Sequence, residues 1–231
     1  MTEIDRSKRA LIAGSASLMG LAVTGCTAVQ DATTRITAGN TAISGGATPR
    51  NYAVAYGPQR NEKFPIPAVD LKKVPNRFLR REVSYRTRHP VGTVIVDTSK
   101  FYLYLVQPNG RAMRYGVGLG RQGFTWSGQG VIQWKRRWPT WTPPAEMIER
   151  QPELAKWSAD NGGMPPGLKN PLGARALYIF QDGKDTLYRL HGSPEYWSIG
   201  KAVSSGCVRL MNQDIIDLYG RVPPKASLIV I

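Results

Sequence analysis

From Thr93 onward the chain is cut into short runs of β-branched and aromatic residues, each halted by a turn signal. This pattern leaves little room for anything but a sheet-based fold. Thr93–Asp97 and Phe101–Gln107 read as strands joined by the turn Thr98-Ser99-Lys100. Pro108-Asn109-Gly110 is a second turn, leading into a strand over Ala112–Val117. Val131–Trp134, Ala176–Phe180, Thr186–Leu190 and Leu228–Ile231 are further strands, with Gln181-Asp182-Gly183 as a hairpin turn. Helical signals are few. Thr142-Pro143-Pro144 opens a helix to Arg150, and Asn212 is placed to cap a helix from Gln213 to about Tyr219. The expected class is mostly β with one or two short helices.

Composition narrows the chemistry. With 42% hydrophobic residues in 231, the chain can bury a core. Two cysteines do not make a disulfide scaffold, and two histidines argue against a multi-histidine metal site, so no metal and no cofactor are expected. The net charge of +15 does not imply nucleic acid, since no nucleic-acid motif accompanies it. It suits an anionic cell wall or lipid surface, a solvated basic face being the plainer alternative. Gly118-Leu-Gly120-Arg-Gln-Gly123 has dinucleotide-loop spacing, but no helix start and no suitably placed acid follow it. Turns and close backbone approach explain these glycines better.

The N-terminus reads as an address. Arg6, Lys8 and Arg9 precede an uncharged run from Leu11 to Val23 that is too short and too rich in small residues to span a membrane comfortably. It ends Leu21-Ala22-Val23-Thr24-Gly25-Cys26, which resembles a bacterial lipobox. Residues 1–25 would then be a lipoprotein signal peptide and Cys26 the lipidated residue, an ordinary signal peptide being the alternative. Thr27 after that cysteine resembles sorting to the outer membrane. Residues 26–50 follow as a tether: 15 of the 24 residues after Cys26 are Ala, Thr, Ser or Gly. A coil of that length spans roughly 25–30 Å. Residues 51–90 form a basic arm with nine Lys/Arg, in which Phe64, Ile66, Val69, Leu71, Val74, Phe78 and Leu79 are expected to pin it along a domain surface.

The stretch from Leu190 to Leu210 carries the chemistry. A thiol is a good nucleophile as thiolate, and a nearby imidazole is its usual activator. His191 ends an expected strand, and Cys207 opens another apolar segment after a loop. If the two segments pair, the side chains meet. Ser205 and Gly206 then offer backbone N–H groups beside the sulfur, the arrangement an oxyanion requires. The bland alternatives are a small core cysteine and a structural histidine. Trp134, Trp138 and Trp141 cluster, lining a groove or packing in the core, and His89 reads as surface.

His191-Gly192-Ser193 followed, sixteen residues after His191, by Cys207 in Ser204-Ser205-Gly206-Cys207-Val208-Arg209 resembles the signature of the L,D-transpeptidase (YkuD-type) catalytic domain. Gly92–Asp97, Tyr115–Gly118, Trp138–Ala145 and Asn170–Ala176 extend the resemblance over residues 91–231. It implies a β-sandwich-like domain that transfers acyl groups on peptidoglycan stem peptides. Cys207 would be the nucleophile and His191 the proton donor and acceptor. Gly192 and Ser193 would orient the imidazole, and Ser205, Gly206 and Cys207 would hold the oxyanion. Arg209 would bind a substrate carboxylate or make a structural ion pair; Tyr188 and Trp197 would touch substrate or pack. Ser205 stands where many members have histidine, which leaves His191 the one imidazole of the matched region. The implied product is a 3→3 cross-link on a periplasmic or cell-envelope enzyme held to a membrane through Cys26. Water or an outer-membrane protein as acceptor, and a non-catalytic wall-binding lipoprotein, are the alternatives.

Overall fold

The computed structural model describes residues 49–120, 127–204 and 206–231. The signal segment, Cys26, the tether up to residue 48, Gly123 and Ser205 lie outside these residues. Described strands are β1 (Arg81–Ser84), β2 (Val94–Asp97), β3 (Tyr102–Gln107), β4 (Arg111–Gly116), β5 (Leu119–Gly120), β6 (Gly128–Arg137), β7 (Arg175–Gln181), β8 (Lys184–Ser193), β9 (Ala202–Ser204), β10 (Val208–Met211) and β11 (Ala226–Val230). Helices are α1 (Pro49–Ala55), α2 (Ala145–Arg150) and α3 (Asn212–Arg221), with short 3-10 turns between. The chain is mostly β, as the turn and strand pattern implies.

Nine strands make one sheet in the order β1-β4-β3-β2-β11-β6-β7-β8-β10, and β5 pairs with β9 beside it. The layers of a sandwich are thus one sheet curled on itself. Val94, Leu103, Ile132, Leu177, Leu190 and Val208 come from six of its strands and form one core with Ile215 and Leu218 of α3. The curl is locked just past β4, where the Gly118 N–H donates to the Arg209 carbonyl at 2.9 Å and the Arg209 N–H donates back at 2.8 Å. Two hairpins turn as their sequences dictate. Asn109-Gly110 and Asp182-Gly183 all hold positive φ, the left-handed pair that matches strand twist.

Three elements differ from expectation for physical reasons. β6 runs on through Lys135-Arg136-Arg137, which propensity alone would stop. Lys135 belongs there because its Nζ donates to the carbonyls of Tyr219 and Val222 at 2.8 Å each, serving the C-terminal end of α3. Asn212 does not cap α3: the helix begins at Asn212 itself, and its Oδ1 accepts the Ala174 N–H at 2.9 Å. Strand structure also starts before Val91, since Arg81–Ser84 pairs antiparallel with β4 as an edge strand.

The arm is integral to the fold. Ile66, Val69, Val74, Phe78 and Leu79 are buried as expected, together with Tyr56, while Phe64 and Leu71 are only partly covered. Its polar ties are equally specific. Glu62 accepts from Trp138 Nε1 at 2.9 Å and from both terminal nitrogens of the buried Arg175. Burial opposes the Glu62 charge, but these hydrogen bonds hold its carboxyl below the usual range. On the opposite side Gln213 Nε2 donates to Pro67 O at 3.0 Å, and the buried Asp214 receives Tyr56 OH at 3.3 Å and Arg80 at 3.4 Å.

Burial pushes the Asp214 carboxyl up to about 7, with Arg80 and Tyr56 pulling against it. The folded state therefore holds a proton between about pH 4 and 7 that the unfolded state has released, and stability falls as pH rises through that window. Asp214→Asn removes this dependence. The difference in melting temperature between variant and wild type should shift in the variant's favour from pH 5 to pH 8, and a pH-independent difference would refute the assignment.

Candidate active site

β8 and β10 lie parallel, with Leu190 opposite Val208 and His191 opposite Arg209. Partners in this register share a sheet face, and the faces alternate along each strand. Leu190 and Val208 point into the core. His191 and Arg209 therefore occupy the outer face. Cys207 directly precedes Val208, the first residue of β10, and the Arg189 backbone beside Leu190 reaches it with a hydrogen bond. The expected meeting of the histidine and cysteine segments is thus met through a parallel pair, not by two strand ends.

His191 is buried, and its Nδ1 lies 2.6 Å from the Gly192 carbonyl. A carbonyl only accepts, so Nδ1 carries the proton and Nε2 presents a lone pair. Gly192 is glycine for packing reasons: a Cβ there would sit 2.3 Å from Asn212 Oδ1 and 2.9 Å from an Ile215 methyl. The start of α3 presses on this backbone and fixes the carbonyl that orients the ring. Ser193 Oγ accepts the Glu195 N–H at 3.1 Å. Pro171 supplies a second carbonyl to His191. Its loop hangs on the fully buried Asn170, whose Nδ2 serves the carbonyls of Pro139, Met164 and Pro165 and whose Oδ1 accepts the Leu172 N–H.

Cys207 is half-buried. Gly206 before it has φ +129°, a conformation that side chains resist, while a Cβ would find only an ordinary 3.5 Å contact with Tyr188. Backbone shape, not space, requires glycine here. Burial pushes the Cys207 thiol up; a hydrogen bond from the Arg189 backbone and the charges of Arg189 and Arg209 pull it back in part. Burial also drives His191 down to about 4, against the Gly192 and Pro171 carbonyls, and the same two arginines add to the fall. Burial thus disfavours the charged form of both the thiol and the imidazole.

The other expected residues fall into different roles. Arg209 Nη1 donates to Glu195 at 2.8 Å, so one arm of its fork makes the ion pair. Tyr188 is half-buried against the core beneath Gly206. Trp197 is 47% exposed, its ring edge-on to Tyr196 at 5.2 Å. Trp138 is buried while Trp134 is 50% exposed, so the tryptophan cluster divides between core and surface. His89 is exposed. Arg189 is the neighbour that sequence reasoning missed. Asp185 holds it with two hydrogen bonds of 2.6 and 2.8 Å, and it lies over the Tyr178 ring at 4.3 Å. Its signal was its place two residues before His191 on a strand.

Comparison with known proteins follows this geometry. Residues 92–231 match the family model of the L,D-transpeptidase catalytic domain, YkuD. The chain belongs to this family. The probable L,D-transpeptidase YcfS of Escherichia coli K12 is 32% identical over 142 residues, covering 60% of this chain and 43% of that protein. The probable L,D-transpeptidase YbiS of the same strain is 33% identical over 136 residues, covering 56% and 41%. The match thus spans less than half the length of these relatives. A Brucella melitensis crystal structure described as a probable carnitine operon oxidoreductase is 41% identical, covering 67% of this chain and 94% of that one with a TM-score of 0.48.

Two substitutions check the site. Gly192→Ala should cost about 1–3 kcal/mol of stability through overpacking against Asn212 and should displace the carbonyl that holds His191. Chemical denaturation reads the first effect, and an unchanged midpoint would contradict the packing argument. Arg189→Met should slow alkylation of Cys207 by iodoacetamide at pH 8 about three- to tenfold, since a positive charge near the thiolate is lost. Peptide mapping by mass spectrometry follows that residue specifically, and an unaltered rate would show that the guanidinium does not act on the sulfur.

Proposed function

We propose that this protein is a peptidoglycan L,D-transpeptidase whose acyl-enzyme forms on Cys207. The observation that supports the reading is the parallel β8–β10 pairing, in which His191 is opposite Arg209, two residues after Cys207, with His191 Nδ1 tied to the Gly192 carbonyl. Cys207 Sγ attacks the carbonyl of the third residue of a tetrapeptide stem while His191 Nε2 takes the thiol proton. The backbone N–H groups of the Ser205-Gly206-Cys207 segment receive the oxyanion. Collapse breaks the peptide bond, and the imidazolium returns its proton to the departing D-alanine amine. A thioester remains. An acceptor amine attacks it, His191 takes the amine proton, and the thiol is regenerated by that proton as the 3→3 amide forms.

Arg209, shared with Glu195, and Arg189 add positive charge on the face where the oxyanion develops. Trp197, exposed a few residues after β8, contacts the donor, while Tyr188 supports Gly206. The lipobox-like Leu21–Cys26 supports export and a lipid anchor, giving a cell-envelope enzyme with the outer membrane as the favoured site. Among the described residues no helix is long and apolar enough to cross a membrane.

Intact-mass analysis of the protein incubated with a disaccharide-tetrapeptide, with and without excess free D-amino acid, tests the proposal. The expected result is an adduct equal to the donor less D-alanine, absent in Cys207→Ala, and an exchanged product when the amino acid is present. Hydrolysis alone would assign water as acceptor. No adduct and no product, alongside an active L,D-transpeptidase, would refute the enzyme reading. A second check is pH. With the imidazole depressed to about 4, acylation should persist down to about pH 5 and fail only near 4. An acid limb near 6.5 would show that His191 titrates as an ordinary histidine.

A further inference from the structure

The outer sheet face that carries His191 continues across β7 and β6 into a groove of about 610 Å³, lined among others by Trp134, Arg136, Arg137, Trp138, Tyr178 and Asp185. Strand register runs from this groove toward the thiol. Trp134 is opposite Tyr178 and Tyr178 is opposite Arg189, which precedes Leu190 as Cys207 precedes Leu190's partner Val208. Trp134, Tyr178 and Arg189 form one row across three strands, and Cys207 lies at the start of the fourth, just before β10. Three strand spacings separate Trp134 from Cys207, about 14 Å.

Trp134 is built to present a ring. The edges of Tyr178 and Phe180 meet it at 6.2 and 5.0 Å, with interplanar angles of 65° and 70°, and fix its plane. Half of the residue nevertheless faces solvent. A rigid, open indole bordered by a guanidinium and a carboxylate is suited to a pyranose ring, whose C–H face packs on the aromatic plane while its hydroxyl and acetamide groups meet the polar rim.

We infer that the Trp134 groove is a glycan subsite, holding the amino sugar to which the donor stem is attached. The inference rests on the acyl-transfer reading above, because the attacked carbonyl fixes the distance. Between that carbonyl and the sugar lie three amino-acid residues and a lactyl group, which is itself an α-hydroxy acid of one residue's length. Four such units at about 3.5 Å each reach about 14 Å when extended. The span from Cys207 to Trp134 has that length. A free tetrapeptide would fill the span only as far as Tyr178, whereas a disaccharide-tetrapeptide would reach the indole.

The test compares kcat/KM for the disaccharide-tetrapeptide with that for the free tetrapeptide, using a small free D-amino acid as acceptor so that no second stem enters. The wild-type ratio should exceed unity, and Trp134→Ala should lower it by about tenfold or to unity. Trp134→Tyr, which keeps an aromatic face, should retain most of it. A fall of equal size for both donors, or a wild-type ratio of one, would overturn the subsite. A readout independent of turnover uses Cys207→Ala. Binding of the peptide-free disaccharide, followed by titration calorimetry, should be lost when Trp134→Ala is added, and equal binding by both proteins would overturn the proposal. Sugar-dependent binding with no turnover of either donor would instead indict the acyl-transfer reading and leave the subsite standing.

Discussion

Two reciprocal hydrogen bonds between Gly118 and Arg209 hold the far end of the sheet against the strand that follows Cys207. Without them β10 would be a free edge, paired only through β8. An edge strand frays, and Cys207 sits one residue ahead of β10. The closure therefore turns a local motif into a fixed position. It also explains why Arg209 is placed as it is: its backbone serves the closure while its side chain lies beside His191. The curl in turn needs α3 as its filling, and α3 is what presses Asn212 onto Gly192. Core, closure and catalytic backbone are consequences of one geometry.

The electrostatic character of the site follows from the same burial. A low-dielectric setting disfavours both thiolate and imidazolium, and the carbonyls of Gly192 and Pro171 do not offset that penalty at the ring. The two arginines act in opposite senses on the two partners, easing charge on sulfur and discouraging it on the imidazole. A thiol held neutral is a weaker nucleophile than a thiolate, so burial and the two arginines set opposing demands on Cys207.

Much of this was legible in the residues, and what was not has definite causes. Strand existence followed from β-branched and aromatic runs, and the two left-handed hairpins from Asn109-Gly110 and Asp182-Gly183. The pairing of the His191 segment with the one that follows Cys207 was inferable because both are apolar. Lengths were not legible where charge hides a strand: Lys135 looks like a loop residue until the carbonyls of Tyr219 and Val222 are seen to need it. Asn212 carried a correct local signal for a helix start, but its side chain is claimed by Ala174, a partner 38 positions away. Arg189 was missed because it stands outside every motif, and only the alternation along β8 points to it. Ser193, an orienting hydroxyl by resemblance, accepts the Glu195 N–H of the turn that follows it.

The family segment begins at Gly92, but the buried surface does not. Tyr56, Glu62, Phe78 and Arg80 each supply a contact that α3, β4 or the Arg175 side chain has no other means to satisfy. Cutting the chain where the motif begins would strip β1 from β4, leave Arg175 buried without its counter-ion, and open the layer beneath Ile199 and Met211. The boundary recognised by heredity and the boundary recognised by water are thus some forty residues apart. A truncation guided by the first would yield a fragment with the full catalytic alphabet and no stable page to write it on.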